Sequence, residues 1–251
     1  MNTATALDWD YSALADHYRL RAPYSDAALR DLFALMRLSA AAACVDIGAG
    51  TGRLTAALVA QALQVTAIEP NAAMRAIGRR DVPHARWLAT RGEATGLPSR
   101  CCTLLAFGSS FNVLPARAAL DEAARLLHPG GWLVCLWNHR DLDDPLQRRL
   151  QAAIEKRVPG YDHGQRREDP TSLLDADGRF GEVQGITGRL VHATRARDFV
   201  GAFRAHATLV RHAGSAMSDV LDALAAVVAG EDSIAVPFTT RIFATRRNDA
   251  R

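Results

Sequence analysis

Lysine is almost absent from this sequence: Lys156 is the only one, although lysine and arginine together account for 30 of the 251 residues. Arginine favours planar, bidentate partners such as carboxylates and phosphates. Here, however, the arginines are scattered along the whole chain, and the formal net charge is only +3. No basic run alternates with aromatic residues, so the footprint of a nucleic-acid-binding protein is missing. We expect no nucleic-acid partner.

Long apolar runs are also missing. No window approaches the ~20 uninterrupted apolar residues that a membrane-spanning helix needs, so no membrane partner is expected. Residues 1–10 are polar and acidic, and they lack the basic and apolar regions of a secretory signal. These features predict a cytoplasmic location.

Cysteines are few, and none of the four belongs to a C-x-x-C pair or has a histidine at zinc-like spacing. Each lies in or beside an apolar run, where a free thiol behaves as a small hydrophobic group. We therefore expect inert core thiols and no metal site. A nucleophilic Cys102 is the alternative.

The first 140 residues alternate short apolar runs with amphipathic stretches. Strands are predicted at 43–47, 64–68, 85–89, 103–107 and 132–137, and helices at 54–62, 72–79 and 120–127. This alternation implies βαβ units and hence a parallel sheet with helices on both faces. The predicted strands are apolar almost throughout, as expected when both faces of a sheet are covered.

The sequence changes character after Asp141. Residues 141–178 are polar and contain Pro145, Pro159 and Pro170. Apolar patterning returns at 180–183 and 190–193, and helices are predicted around 196–210 and 217–228 before a last strand at 239–244. We interpret the middle portion as a lid, because loops this long are usually functional. A surface excursion without function is the alternative.

A glycine-rich turn follows the first predicted strand. Residues 46–54 read Asp-Ile-Gly-Ala-Gly-Thr-Gly-Arg-Leu. Glycines suit a sharp turn that a ligand must approach closely. A Walker loop needs Lys and Ser/Thr after Gly52, and a dinucleotide loop needs glycine where Arg53 stands. The remaining match is the loop that binds S-adenosylmethionine (SAM), in which Asp46 can attract the ammonium of the cofactor's methionine moiety.

An acid follows the second predicted strand at the matching position. Glu69 lies 23 positions after Asp46, which is close to the length of one βαβ unit. In a nucleotide-binding α/β sheet, an acid there can accept hydrogen bonds from both ribose hydroxyls. The ordered set of strand, loop, helix, strand and acid is more specific than a lone G-x-G-x-G turn.

Two further segments resemble class I SAM-dependent methyltransferases, in particular the small-molecule enzymes similar to the menaquinone and ubiquinone methyltransferases. Residues 92–98, Gly-Glu-Ala-Thr-Gly-Leu-Pro, resemble the family's adenine-side motif. Residues 124–133 resemble its helix, Pro-Gly-Gly turn and fifth strand. The chain departs from many relatives at Thr103, where they have an acid, and at Asn112-Val113, where they have a His-Trp pair.

The resemblance implies an α/β fold: a Rossmann-like, mostly parallel seven-stranded sheet with helices on both faces and a lid insertion after the fifth strand. We expect a single domain over residues 1–251. It consists of an N-terminal cap (1–30), a SAM-binding core (31–140), a substrate lid (141–212) and a C-terminal return to the sheet (213–251).

The resemblance also implies SAM as cofactor and S-adenosyl-L-homocysteine (SAH) as product. The cap residues Tyr18 and Arg21 match positions that close over SAM, with the arginine facing the methionine carboxylate. The expected cofactor-binding residues are Tyr18, Arg21, Asp46, Gly48, Ala49, Gly50, Gly52, Glu69, Pro70, Met74, Gly92, Glu93, Ala94 and Ser109.

The methyl acceptor is expected beyond the carboxyl ends of the strands. His139 or Asp141 is the candidate base for a hydroxyl or carbon acceptor, whereas a nitrogen lone pair needs none. The expected substrate contacts are Tyr24, Phe111, Asn112, Trp137, Asn138, Arg140, Tyr161, Arg167 and His206. For His206, a buried and satisfied histidine is an equal alternative.

We therefore expect methyl transfer to an N, O or activated C atom of a small aromatic or heterocyclic metabolite by a monomer or homodimer. Three alternatives stay open: a SAM-binding protein without turnover, a protein or RNA methyltransferase, and an NAD(P)-linked enzyme. The second lacks support because Ser-Ser-Phe-Asn stands where an amine-clamping Asn-Pro-Pro-Tyr motif would lie. Arg53 disfavours the third.

Overall fold

A seven-stranded sheet forms the centre of the fold. The computed structural model describes residues 11–161 and 169–248. Its strands run in the order β3-β2-β1-β4-β5-β7-β6, and only β7 is antiparallel to its neighbours. The strands are β1 (Ala43–Ile47), β2 (Gln64–Ile68), β3 (Arg86–Leu88), β4 (Cys102–Gly108), β5 (Leu127–Arg140), β6 (Gln184–Arg195) and β7 (Ser233–Arg246). The predicted Rossmann-like, mostly parallel seven-stranded sheet is confirmed.

Helices cover both faces of this sheet. They are α1 (Ala15–Tyr18), α2 (Asp26–Met36), α3 (Arg53–Ala60), α4 (Ala72–Asp81), α5 (Ala116–Leu126), α6 (Pro145–Glu155), α7 (Thr171–Asp177), α8 (Ala196–Ala202), α9 (Ala207–Ala213) and α10 (Met217–Val227). No helix in the described part of the chain is long and apolar enough to cross a membrane.

Short polar side chains fix where several helices begin. Ser25 accepts a hydrogen bond from the backbone N–H of the third residue of α2, and Asn71 does the same at the start of α4. Asp144 caps α6, whose first residue is Pro145. Such caps satisfy an N–H that has no partner within the helix, and proline is favoured at the first helical position. The starts of these helices are therefore determined by residues next to them in the sequence.

Three apolar clusters hold the elements together. Leu32 of α2 and Leu58 of α3 pack with Leu104 on one face of the sheet. On the other face, Phe107 and Leu126 belong to a cluster that includes α5. A third cluster joins α6, α8, α9 and α10. The first two clusters cover the two faces of the sheet. A ligand is therefore expected beyond the carboxyl ends of the parallel strands.

The fifth strand is longer than predicted. It was expected to end at Trp137, but it continues to Arg140, because β7 pairs with it from Trp132↔Arg246 to Arg140↔Phe238. Asn138, His139 and Arg140 therefore stand on a strand and not in the loop after it. The signal for this extension lies about 100 residues away in β7, beyond the reach of local patterning.

The expected lid is not one insertion. Strand β6 lies within residues 141–212 and is hydrogen-bonded to β7. The chain thus leaves the sheet twice, through α6 and α7 before β6, and through α8, α9 and α10 after it. The helix expected around 196–210 is also broken. His206 leaves the helical conformation, and its ring accepts a hydrogen bond from Leu209 N as the cap of α9.

The cysteines are core thiols in this fold. Cys44, Cys102 and Cys135 are buried, and Cys101 is partly buried. Burial raises the pKa of all three buried thiols, so they stay protonated and poorly nucleophilic. Cys102 also lies at the amino end of β4, away from the carboxyl edge. The nucleophilic alternative therefore has no support.

Replacing Gly78 by alanine is expected to lower the free energy of unfolding by about 1–3 kcal/mol. Helix propensity alone predicts a gain of about 1 kcal/mol. A Cβ at this position of α4, however, would stand 2.1 Å from Cη2 of Trp87, and that ring is buried. Urea unfolding measures the difference.

Gly201→Ala in α8 is the matched control. Its Cβ would meet only the end of the Leu20 side chain, at 3.1 Å, so we expect no loss of comparable size. A Gly78→Ala protein as stable as the wild type would show that the Trp87 ring moves aside at no cost.

Candidate functional site

The glycine loop joins the end of β1 to the start of α3. Gly48, Gly50 and Gly52 all have positive φ angles, of 68°, 58° and 87°, a region that favours glycine. A Cβ on Gly48 would lie 2.5 Å from Cβ of Ser110, whereas a Cβ on Gly50 would meet nothing within 4 Å. The loop therefore packs against Ser110, just after β4, at Gly48, and it has open space beside it at Gly50.

Asp46 is the acid at the end of β1, and it is fully buried. Its Oδ2 accepts a hydrogen bond from Thr55 Oγ1 at 2.6 Å. Its Oδ1 is buried and has no hydrogen-bond partner among the residues that the structure describes. Burial is the main cause that raises the pKa of Asp46 to about 7, with Thr55 acting against it and Glu69 adding to it. A buried carboxylate oxygen without a partner is costly, and a cationic ligand group would satisfy it.

Glu69 follows β2 and holds the neighbouring backbone in place. Its Oε2 accepts from Gly50 N and its Oε1 from Asn71 N, both at 2.8 Å. Burial raises the pKa of Glu69, while the two backbone N–H groups oppose that rise. Each carboxylate oxygen accepts more than one hydrogen bond, so both oxygens keep capacity for ligand hydroxyls.

One cavity of about 620 Å³ collects most of the predicted residues. It lies at the carboxyl edge of the sheet, where the ligand was expected. The predicted residues that line it are Tyr18, Arg21, Tyr24, Asp46, Gly48, Ala49, Gly50, Glu69, Pro70, Met74, Gly92, Glu93, Ser109, Trp137, Asn138, His139, Arg140 and His206.

The segment before α2 forms one wall of this cavity and is tied to the sheet. Asn138 Nδ2 donates to Pro23 O at 2.5 Å, and Thr240 Oγ1 accepts from Ser25 N at 2.8 Å. The Tyr24 hydroxyl lies 3.2 Å from Ser109 Oγ. Burial raises the pKa of Tyr24, so it remains a neutral phenol. Residues expected to cap the cofactor are therefore held against β5 and β7.

Residues from the C-terminal half complete the opposite wall. Phe199, Phe203 and Phe238 line the cavity together with Trp137. The Arg140 guanidinium lies 5.5 Å from the centre of the Phe203 ring, and its Nε donates to Gln147 Oε1 at 2.6 Å. This wall is largely aromatic, with one positioned arginine.

Comparison with known proteins agrees with this geometry. Residues 45–135 match a family model described as a methyltransferase domain. An uncharacterized methyltransferase of Mycobacterium tuberculosis is 34% identical over 103 residues, which are 41% of this chain and 42% of that protein. The ubiquinone/menaquinone biosynthesis C-methyltransferase UbiE of Rubrivivax gelatinosus is 35% identical over 96 residues, 37% of this chain and 38% of its own.

Over residues 45–135 the chain is therefore similar to a methyltransferase domain. The chain spans less than half the length of these curated relatives. Solved structures extend the likeness to the whole fold. Phosphoethanolamine N-methyltransferase 2 of Haemonchus contortus, in complex with SAM, has a TM-score of 0.52 at 12% identity and covers 89% of this chain and 53% of that one. The cyclase SpnF has a TM-score of 0.55 at 20% identity, covering 92% and 85%.

Some predicted cofactor and substrate residues do not line the cavity. Gly52 faces the side chains of Val82 and Trp87, and Ala94 takes part in a bridge with Arg91. Phe111 is buried, and its ring packs 5.2 Å from that of Phe107. Gly52 and Phe111 are buried in the core behind the cavity, whereas Ala94 is exposed outside it.

Three more of the predicted residues do not line the cavity, and each contacts another side chain instead. Asn112 Oδ1 accepts a hydrogen bond from Trp137 Nε1 at 3.3 Å. Asp141 pairs with Arg189 at 2.7 Å and does not line the cavity, which leaves His139 as the candidate base. Tyr161 is buried with its hydroxyl 3.3 Å from Nδ1 of His206. Arg167, also predicted to contact the substrate, lies outside the described residues.

The sequence interpretation missed several residues that line the cavity. They include Arg53, His192, Phe199, Phe203 and Phe238. Phe199 and Phe203 lie within the helix predicted around 196–210, and Phe238 lies before the strand that was predicted. Within residues 11–161 and 169–248, no group of three or more His, Cys, Asp or Glu side chains could hold a metal ion.

Proposed function

We propose that this chain transfers the methyl group of SAM to an N, O or activated C atom of a small aromatic or heterocyclic metabolite and releases SAH. One observation carries the proposal: the unpartnered, buried Oδ1 of Asp46 belongs to a residue that lines the same glycine-rich cavity as Glu69. Asp46 suits the ammonium of SAM, and Glu69 suits its ribose diol. The two acids thus fit the two ends of the same cofactor.

The cofactor supplies an electrophilic methyl group on a sulfonium, and the chain's own residues supply position. Asp46 attracts the ammonium, and Glu69 accepts from the ribose hydroxyls while it fixes Gly50. We assign Tyr18 and Arg21 to closing the methionine end. Pro70, Met74, Gly92 and Glu93 line the cavity, and we assign them to the adenosine side. Alignment at about 3–3.5 Å with water excluded is the main demand on such a site.

The aromatic wall supports a flat, partly apolar acceptor. Trp137, Phe199, Phe203 and Phe238 face the cavity from different elements of the chain. Aromatic side chains bury large apolar areas and favour stacked or edge-on rings. The relatives include a ubiquinone/menaquinone biosynthesis C-methyltransferase and a trans-aconitate 2-methyltransferase. Because one fold can serve different acceptors, we assign the choice of acceptor to this wall.

Titration with SAM and SAH followed by an acceptor screen tests the proposal. We expect micromolar binding of both, and formation of SAH when labelled SAM is supplied with phenols, aromatic amines or heterocycles. Binding without methyl loss across the screen would favour the SAM-binding protein without turnover. No binding by the wild-type protein would overturn the proposed function.

Replacing His139 by glutamine is expected to lower kcat about 10²–10⁴-fold for a hydroxyl or carbon acceptor, the usual contribution of a general base. His139 lines the cavity at the carboxyl end of β5. The affinity for SAH is expected to stay within about twofold, because the assigned cofactor contacts are elsewhere. Single-turnover kinetics over a pH series provide the readout. An acceptor nitrogen with a free lone pair should show no such loss, and an unchanged rate with a phenol would contradict the assignment.

A further inference from the structure

Two hydroxyl groups meet at the middle of the cavity. Ser109 follows β4, which lies between β1, the strand of Asp46, and β5, the strand of Trp137. The Oγ of Ser109 lies 3.2 Å from the hydroxyl of Tyr24, and both residues line the cavity. The order of the strands therefore places this hydroxyl pair between the acids assigned to SAM and the aromatic wall assigned to the acceptor.

Ser109 has a backbone conformation that a serine does not favour. Its φ angle is 61°, in the left-handed region that residues other than glycine seldom adopt. Ser109 N donates to Leu136 O at 2.8 Å and so fixes the turn after β4. The next hydroxyl along the chain is already committed, because Ser110 Oγ donates to Ile47 O at 2.5 Å. Backbone strain of this kind is concentrated at binding and catalytic sites, so it points to a role for Ser109 in the cavity.

Tyr24 is also held in place. The residues on both sides of it are hydrogen-bonded to β5 and β7. Gly108 leaves room for its hydroxyl, because a Cβ on Gly108 would stand only 3.1 Å from the Tyr24 oxygen. Burial raises the pKa of Tyr24, while the Ser109 hydrogen bond and the charge of Arg21 oppose that rise. Tyr24 is therefore a fixed, protonated phenol.

The hydroxyl pair has one more hydrogen-bond donor than it uses. Each hydroxyl carries one proton, and among the described residues each oxygen has only the other as a hydrogen-bond partner. One proton lies in their contact, which leaves one O–H group over. Tyr24 is buried, whereas Ser109 is half-buried, so the serine hydroxyl is the one left to donate into the cavity. A donor without a partner is costly once a ligand excludes water, which favours a ligand atom that accepts a hydrogen bond.

We propose that Ser109 donates a hydrogen bond to the reacting atom of the methyl acceptor, that this atom is a hydroxyl oxygen, and that Tyr24 is the positioning residue that orients the serine. The inference rests on the proposed function. An ionised hydroxyl oxygen has several lone pairs, so one accepts from Ser109 while another forms the new O–C bond. The C–S bond breaks at the same time and its electron pair stays on sulfur, the acceptor's proton having passed to the candidate base His139. An aromatic ring nitrogen has a single lone pair, which the same hydrogen bond would occupy.

Binding of 4-nitrophenol tests the hydroxyl pair without any methyl transfer. Its ionised and neutral forms absorb at different wavelengths, so a titration into SAH-loaded and ligand-free protein reports both its affinity and the pKa of the bound phenol. A hydrogen bond from Ser109 favours the phenolate and lowers that pKa.

The variants are Ser109→Ala, Tyr24→Phe and the double variant. Ser109→Gly removes the same hydroxyl and suits the positive φ angle, so it should fold at least as well as the wild type. Ser218→Ala is the matched control, because Ser218 is an exposed serine of α10 that does not line the cavity. A thermal melt and a titration with SAH accompany each variant.

Ser109→Ala and Ser109→Gly are expected to weaken phenolate binding at least about tenfold, a typical value for one charge-assisted hydrogen bond. The pKa of the bound phenol should rise by about 1 as a result, with the affinity for SAH unchanged. Tyr24→Phe should act in the same direction with a smaller effect, and it should add nothing in the double variant, because it acts through Ser109. A Tyr24 with only a structural role would leave the pKa of the probe where it is.

A folded Ser109→Gly protein that binds the phenolate as the wild type does would overturn the proposal, and so would a wild type that does not bind 4-nitrophenol. Loss of SAH affinity in the Ser109 variants would place Ser109 at the cofactor, where it was expected from the sequence, and would overturn it as well. Failure of the wild type to bind SAH would instead remove the proposed function, and the titration of the ligand-free protein would still test the hydroxyl pair.

Discussion

Replacing Glu69 by glutamine is expected to weaken SAH binding by about 100-fold or more. The carboxylate is assigned to two ribose hydroxyls, and a hydrogen bond to a charged group is worth about 1.5–3 kcal/mol. The amide of glutamine also brings an NH₂ group to face either Gly50 N or Asn71 N, which both donate at 2.8 Å to the present carboxylate. Two donors facing each other would open the glycine loop. Isothermal titration calorimetry measures the loss.

Asp81→Asn is the matched control, because Asp81 is an exposed acid at the end of α4 that pairs with Arg80 at 2.7 Å. SAH should bind to it as to the wild type. The thermal midpoint of Glu69→Gln separates loss of a ligand contact from loss of the fold. A folded Glu69→Gln protein that binds SAH within about threefold of the wild type would remove Glu69 from the ribose site.

The part of the cavity around the glycine loop could be predicted because its signals are local. Strand β1, the glycine loop and the start of α3 are contiguous, and Glu69 follows after one βαβ unit of ordinary length. Asp46 and Glu69 reach one cavity because parallel neighbours β1 and β2 end at the same edge. Ser109 lines the same cavity, because β4 pairs with β1 on its other side.

The aromatic wall of the cavity could not be predicted, because it depends on contacts between elements that are distant in the sequence. Phe238 reaches the cavity only because β7 runs antiparallel to β5 as far as Arg140↔Phe238, and its own sequence neighbourhood contains Pro237. The break before α9 depends on His206 as a cap, where the apolar spacing predicted one continuous helix. In the sequence, Arg53 serves only to exclude a third glycine. Only the fold shows that no carboxylate in the described part of the chain pairs with Arg53.

The free energy of unfolding of the ligand-free protein is expected to fall as the pH rises from about 4 to 8. The pKa of Asp46 rises from 3.8, the ordinary value for an aspartate in water, to about 7 in the folded protein. Between these values the folded state holds a proton that the unfolded chain has lost, so stability decreases with rising pH. At 1.36 kcal/mol per pKa unit, Asp46 alone accounts for up to about 4 kcal/mol. Urea unfolding at pH 5 and pH 8, compared with Asp46→Asn, isolates this contribution, because asparagine does not titrate.

Cofactor binding should then be coupled to the same proton. An ammonium beside Oδ1 of Asp46 favours the ionised acid and lowers its pKa, so the bound state releases a proton that the free protein holds. Below the free protein's pKa of about 7, SAH affinity should rise by up to about tenfold per pH unit and then level off. Calorimetry in two buffers of different ionisation enthalpy counts the proton directly. Asp46→Asn should release none, and 5′-methylthioadenosine, which lacks the amino-acid end, should bind equally at pH 5 and pH 8. Wild-type SAH affinity that is the same at both pH values would mean that the ammonium lies elsewhere and that Oδ1 serves another ligand group.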